Sequence, residues 1–339
     1  MRKLFSMLVA IVAATMSYAQ SSLLATLSHN GEISAYYGTT ALQEAYNAAE
    51  HGDIITLSSG TFAAVDIEKA LTIRGAGMQA DTVTNALPTN ITGDFTINIP
   101  ESTEHRLTME GLYHNNTIKI GTLKNASFLK DRLNAITYVN ANTSSVNGLT
   151  ILHCKITSSF NIPGGSASFI NSFINSPSNA FANSNSHYEY LNCVIRTNSL
   201  DLIRHSSFTN CIIYSSNNTT YLPSTNTAFY CVGKYSIIGN NRNMFTNLAN
   251  STTNTNFTDE ISALFKTYTG TYSDTETFEL TDEAKTKYLG SDGTEVGMYG
   301  GNLPFDPTLA NLRITKCNVA SKSTADGKLS VDIEVTAAE

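Results

Sequence analysis

The chain contains no tryptophan, and only 14% of its 339 residues are charged. The first absence removes the commonest platform for stacking a sugar ring, leaving the 16 tyrosines to serve. The second argues against a surface of amphipathic helices, which needs a polar, charged face on each helix. Carboxylates are scarcest where the chain is most regular. Residues 139–250 hold one aspartate, Asp201, and one glutamate, Glu189. Calcium needs several carboxylate oxygens, and paired-acid glycoside hydrolysis needs two carboxyls flanking one bond. That stretch supplies neither. Basic residues are also few, 21 against 28 acidic ones, so nucleic acid is not expected as a partner.

Long apolar runs are missing too, apart from residues 4–16, which fall short of the roughly 20 residues a membrane span requires. Arg2 and Lys3 precede this run, and Ser17, Tyr18 and Ala19 follow it with small residues at cleavage positions. Residues 1–19 are therefore expected to be a secretory signal peptide, cut after Ala19. Gln20 stands where a lipid-anchored protein would carry cysteine. The mature chain is expected to be exported, to the periplasm, the cell surface or beyond, without a membrane span.

What the chain does have is a repeat. The stretches LTILHCKITSS, ASFINSFINSP, YEYLNCVIRTN and SSFTNCIIYSS align on Cys154, Ser172, Cys193 and Cys211, and Cys231 continues the series, with gaps of 18, 21, 18 and 20 residues. Two residues later come Ile156, Ile174, Ile195 and Ile213, with Gly233 breaking the run. One residue earlier come His153, Asn171, Asn192, Asn210 and Tyr230. A period near 20 marks a solenoid of stacked coils. Alternation puts the Cys/Ser and Ile positions on one inward face. Asparagine just before them tolerates the left-handed backbone that bends one strand into the next, and stacked asparagines can bond along the ladder. The expectation is an all-β chain, a parallel β-helix of about nine coils and on the order of 40 Å long at one strand spacing per coil.

The ends suit that picture. Thr39 and Thr40 precede ALQEAYNAAEHG, a capping helix expected over residues 40–51, with Ala41, Leu42, Ala45 and Ala49 on one side and Gly52 as its stop. With Gly52-Asp53-Ile54, Gly60-Thr61-Phe62 and Leu71-Thr72-Ile73-Arg74-Gly75, this opening resembles that of pectin-lyase-like right-handed parallel β-helix proteins. FELTDEAKTKYLGSDGTEVGMYGG resembles the closing coil of secreted β-helix proteins of Bacteroidetes type. The resemblance covers most of residues 38–305 and implies the fold, not an activity, since this fold hosts lyases, hydrolases, esterases and adhesins. The expected organisation is a lead-in at 20–38, the β-helix at 39–305 and a tail at 306–339. In the tail LRITKCNV and KLSVDIEV form a hairpin around residues 325–328. Residues 247–280 are expected to be a loop with a short helix near 260–268.

Five cysteines leave an odd one in any disulfide framework. A column that accepts serine as readily as cysteine reads as a slot for a small inward side chain, so free, buried thiols are expected. The disulfide state of Cys193, Cys211 and Cys231 stays open at this point, as does Cys317.

The enzymes of this fold imply a search list: clustered aspartates with an arginine, an Asp pair with Gly-His-Gly, or two aspartates with an arginine and a Gln-rich signature. None occurs here. One constellation remains. His187 and His205 sit eighteen residues apart in equivalent positions, where their rings are expected to stack, and Glu189 points the same way as His187. Arg204, Arg196 and Asp201 are near in sequence. His187, His205, Arg204 and Glu189 are the catalytic candidates, as base and charge stabiliser for a polysaccharide lyase or as part of a hydrolase. Two histidines and a carboxylate also suit a transition metal. No cofactor is expected, and neither calcium nor a transition metal has support. A polar outward ladder explains the same residues without chemistry. The favoured function is non-catalytic binding of an extracellular polysaccharide or cell-surface component along a lateral face. The alternatives are an enzyme with an atypical site and a structural or adhesive role for the rod and its hairpin. Oligomeric state is left open.

Overall fold

The computed structural model describes residues 23–81, 86–99, 104–162, 164–179, 185–249, 251–273, 275–309, 312–319 and 331–337. The expected signal peptide lies outside the described residues. The repeats stack as a parallel β-solenoid of about nine turns. Two long sheets of eleven and twelve strands run along it. Bends in the longer strands of the second sheet, with a register shift between Leu133 and Ala135, open a third face.

Each repeated position has its own column. Inward on the first sheet come Ile73, Met109, Phe128, Ile151, Phe169, Tyr190 and Phe208. The rings of Phe169, Tyr190 and Phe208 stack with centroids 4.4 and 4.9 Å apart. Inward on the second sheet come Leu133, Ile156, Ile174, Ile195, Ile213 and Gly233. The corner between the sheets is left-handed at Lys130, His153, Asn171, Asn192, Asn210 and Tyr230, with φ between 43° and 55°. Asparagine is the best-suited non-glycine residue there, and it holds three of those six places.

The next slot holds Asp131, Cys154, Ser172, Cys193, Cys211 and Cys231, and it selects for more than size. In five turns a heteroatom accepts a backbone N–H from the turn before. Leu112 N donates to Asp131 Oδ1 (2.8 Å), Asp131 N to Cys154 Sγ (3.4 Å) and Cys154 N to Ser172 Oγ (3.0 Å). Cys193 N donates to Cys211 Sγ (3.4 Å), and Cys231 N to Asn254 Oδ1 (2.9 Å). The thiols in turn donate to carbonyls two residues back, as Cys211 does to Thr209 (3.2 Å). An unpaired buried N–H costs about 1–3 kcal/mol, which is why valine or alanine does not fill this column. Cys154, Cys193, Cys211 and Cys231 are free and buried. The side chain of Cys317 lies outside the description.

Both ends are covered. A hairpin of β1 (Leu24–His29) and β2 (Glu32–Tyr37) joins the first sheet antiparallel to β3 (Ile54–Leu57). Helix α1 (Ala41–Ala48) buries Ala41, Leu42, Ala45 and Tyr46 against the opening turns. Thr40 occupies its N-cap, but its hydroxyl donates to Glu44 Oε1 (2.7 Å) and caps no backbone N–H. At the far end Met244 and Phe245 close the core. A Cβ on Gly233 would lie 2.8 Å from atoms of both, which is why the isoleucine column ends in glycine.

The segment after the last turn differs from expectation. Residues 247–280 are more than a loop with a short helix: among the described residues Ile261–Ala263 forms a single tight helical turn, and Thr255–Phe257 pairs in parallel with residues 232–234. Leu264, Phe265, Tyr268 and Phe278 pack on the outward face of the second sheet, over Phe173, Val194, Ile212 and Val232. Burying each such side chain stabilises by about 1.5–3 kcal/mol. The stretch resembling a closing coil forms a short helix, Asp282–Lys287, and then turns back along the corner as a strap. Asn210 Oδ1 accepts Ser291 N (2.9 Å), Asn171 Nδ2 donates to the carbonyls of Met298 and Gly300 (3.0 and 2.7 Å), and His153 Nε2 meets Leu303 O (3.0 Å). Lys130 Nζ binds Asp306 Oδ2 (3.2 Å) and the Thr308 carbonyl. Asn171 and Asn210 therefore bond to the strap, while Asn192 Oδ1 is buried without a partner. In the tail, Leu312–Val319 and Val331–Ala337 pair antiparallel as a separate two-stranded sheet.

Candidate functional site

The strap and its preceding segment leave the outward face of the first sheet as the long uncovered surface among the described residues. Register fixes its composition. One outward column reads Thr72, Thr108, Ser127, Thr150, Ser168, Glu189, Ser207 and Thr227. The neighbouring one reads Arg74, Glu110, Leu129, Leu152, Ile170, Leu191, Thr209 and Phe229. Seven of the eight residues in the first column carry a hydroxyl, Ser127 among them being buried, and four consecutive residues of the second, Leu129, Leu152, Ile170 and Leu191, are aliphatic. Arg106 lies across the first column, its Nη2 donating to Thr150 Oγ1 (3.0 Å). Sequence reasoning anticipated polar and aromatic side chains repeated on a lateral face. No tyrosine stands in either column: Tyr46, Tyr188, Tyr190, Tyr214, Tyr235, Tyr268 and Tyr288 are buried, and the exposed Tyr37 and Tyr230 lie outside both.

The candidate catalytic residues separate. His187 and Glu189 do meet on this face, with Nε2 and Oε1 2.8 Å apart, and Ser168 Oγ donates to Glu189 Oε2 (3.4 Å). Both side chains are more than half exposed, so solvent screens the pair. His205 is in register with His187, its carbonyl accepting Tyr188 N (3.1 Å). However, its own φ is 51°, and its ring makes no hydrogen bond or ring contact with His187. The left-handed backbone turns that residue out of the strand geometry on which stacking depends. Arg204 is exposed and folds back so that Nε donates to the Asp201 carbonyl (3.4 Å). Arg196 belongs to the second sheet, where Nη1 donates to Asn175 Oδ1 (3.0 Å) beneath the covering segment. Among the described residues no three His, Cys, Asp or Glu side chains converge to hold a metal ion.

Sequence reasoning missed a second feature, because it searched the central coils. Asp66, Glu68, Thr96, Asn98, Gly121, Thr122, Val139, Thr143 and Ser144 line an open groove of about 560 Å³ where the third face meets the first sheet. Its signal in the sequence is slight: two outward carboxylates, two residues apart, in one of the first turns. No helix among the described residues is long and apolar enough to cross a membrane. No family model, curated protein or solved structure matches this chain.

Proposed function

We propose that this is an exported, non-catalytic protein that binds an extracellular polysaccharide along the outward face of its first sheet. The observation that carries this reading is the pair of columns on that face, hydroxyls in nearly every turn of one and four consecutive aliphatic side chains, Leu129, Leu152, Ile170 and Leu191, in the next. A sugar polymer is amphiphilic in the same way, with C–H faces that favour apolar contact and hydroxyl edges that favour Ser and Thr. Turns about 4.8 Å apart present these partners at a spacing comparable to one sugar ring. Many weak contacts, each repeated turn by turn, then add along the chain as linked sites do. The right-handed, pectin-lyase-like architecture that the sequence resembles fits the same role. Binding is favoured over lyase or hydrolase chemistry because His187 and Glu189 stand on an open, wet face, where acid–base groups lack the water exclusion that strengthens them.

Native affinity gels containing neutral or acidic polysaccharides test this with the mature chain, residues 20–339. Thr150→Lys with Ser168→Lys places long charged side chains in the middle of the hydroxyl column and is expected to weaken retardation without changing the far-ultraviolet circular dichroism. Retardation by the double variant equal to that of the parent chain would sink the reading. Release of reducing ends or unsaturated uronide that is lost in His187→Ala would replace it with the enzymatic alternative.

A further inference from the structure

The groove at Asp66 and Glu68 lies off the proposed binding face and has its own chemistry. Its residues come from four consecutive turns, so it runs along the rod for about 14 Å at three strand spacings. Its volume of about 560 Å³ falls within the roughly 300–1,000 Å³ typical of ligand sites. Gly121 forms part of the floor. A Cβ there would come 2.6 Å from Asn98 Oδ1, so the floor has no side chain.

Bonds between turns hold the polar groups in place. Asp66 Oδ1 accepts Thr96 N (2.7 Å), and Asn98 Oδ1 accepts Thr122 N (3.0 Å). One wall is a loop that fixes itself: Asn140 O accepts Ser144 N (2.9 Å), and Ser144 Oγ accepts Asn140 N (3.0 Å). Groups ordered in advance lose little entropy on binding. Asp66, Glu68, Thr96, Thr122 and Thr143 line this space, and among the described residues the second oxygen of Asp66, the Glu68 carboxylate and the three hydroxyls make no hydrogen bond. No lysine or arginine lines it. The nearby Lys69 ammonium is held by the carbonyls of Tyr46 and Ala49 at 2.7 and 2.8 Å, at the end of α1.

We propose that this groove is a second site, taking a segment of three or four units of a neutral, hydroxyl-rich glycan and rejecting uronate. Carboxylates are strong acceptors for paired sugar hydroxyls, and threonine and serine hydroxyls act as both donor and acceptor. Two carboxylates with no lysine or arginine lining the groove disfavour an acidic sugar there. The proposal shares its ligand class with the binding function above but does not depend on the first-sheet face.

Calorimetric titration with soluble tetrasaccharides decides it, using cellotetraose, xylotetraose and maltotetraose against tetragalacturonate. At least one neutral tetrasaccharide is expected to bind saturably at one per chain, and tetragalacturonate not at all. Glu68→Gln with Thr143→Ala, both at the surface, is expected to weaken that binding at least tenfold, whereas Thr150→Lys with Ser168→Lys leaves it unchanged. Glu68→Lys is expected to admit tetragalacturonate. The proposal is overturned if no neutral tetrasaccharide binds saturably, if the groove variant binds as the parent chain does, or if the uronate binds the parent chain as tightly. Gels run with the Glu68→Gln, Thr143→Ala variant report the first-sheet face and the tetrasaccharide titration reports the groove, so failure of either reading is visible without the other.

Discussion

Asp131 occupies the same corner slot as Cys154, one turn away, and donates its backbone N–H to the Cys154 thiol sulfur at 3.4 Å. An acid here takes the place that thiols and a hydroxyl fill in the following turns. It is completely buried, with Oδ1 held by Leu112 N (2.8 Å), and burial drives its carboxyl well above the ordinary aspartate range. Burial therefore favours the protonated form of Asp131.

That assignment fixes a pH dependence. The folded pKa lies above the unfolded value of about 3.9, so the folded state keeps a proton that the unfolded state has released. Stability from this group is complete below about pH 4 and falls as pH rises toward the folded pKa, by up to about 1.4 kcal/mol per unit. Asn254 fills the equivalent slot at the far end, accepting Cys231 N (2.9 Å) and donating Nδ2 to Ala228 O (2.8 Å). Asp131→Asn is thus expected to keep the ladder and remove the slope. Its melting temperature should exceed that of the parent chain at alkaline pH and match it near pH 4. Equal differences at both pH values would count against a buried neutral acid.

The neighbouring thiols lead to a sharper contrast. Cys211 Sγ accepts Cys193 N, and burial pushes its thiol well above the usual range. Cys211→Ser keeps a donor and an acceptor and is expected to be tolerated within about 1 kcal/mol. Cys211→Val keeps the bulk but strands the Cys193 N–H, at about 1–3 kcal/mol. Urea unfolding in a Cys317→Ser background measures both. The same background should show four thiols that react with a disulfide reagent only after denaturant is added. A valine variant as stable as the serine variant would mean that the slot selects by size alone.

Gly233 explains why a repeat is most informative where it fails. Isoleucine recurs at Ile156, Ile174, Ile195 and Ile213, and the sequence marks Gly233 as a break without giving its cause. The cause is the cap, Met244 and Phe245, whose atoms leave no room for a Cβ. Gly233→Ile is expected to dislodge that cap and destabilise by about 1–3 kcal/mol, read as a lower denaturant midpoint. An unchanged midpoint would show the cap to be dispensable.

Legibility in the sequence follows the physics of each feature. Columns, corner residues and coil number were readable because each turn repeats one local rule, inward aliphatic after left-handed asparagine, and the chain writes that rule many times. The strap was not readable, because its contacts with Asn171, Asn210, His153 and Lys130 join residues over 80 positions apart and each occurs once. For the same reason stacking of the asparagines suggests amide bonds along the ladder, whereas Asn171 and Asn210 bind the strap. Among candidate site residues, the His187–Glu189 contact was readable from strand alternation, since residues two apart share a face. His205 failed because its left-handed backbone breaks that alternation. The groove at Asp66 drew no notice because its residues come from four turns and carry no motif.

His153 makes the strap sensitive to acid. Its Nε2 bonds to Leu303 O at 3.0 Å, its ring meets Phe305 edge-on at 6.0 Å, and its Nδ1 is buried without a partner. Burial lowers its pKa below 6.5, opposed by the bond to Leu303, while the nearby Lys130 lowers it further and Asp306 raises it. The unfolded chain therefore binds a proton more readily than the folded one. The stability contributed by neutral His153 is present above about pH 6.5 and is lost as pH falls through the folded pKa. The imidazolium would place an unsatisfied N–H and a second positive charge beside Lys130. Hydrogen exchange in residues 298–309 is accordingly expected to accelerate below that pH, while exchange at the inward Ile174 and Ile195 does not. His153→Asn restores the residue used at Asn171, which keeps a left-handed corner and donates to strap carbonyls. This variant is expected to hold the strap equally well on both sides of the transition. Acid loosening that persists in the asparagine variant would assign the sensitivity to Asp306 and its bond with Lys130 instead.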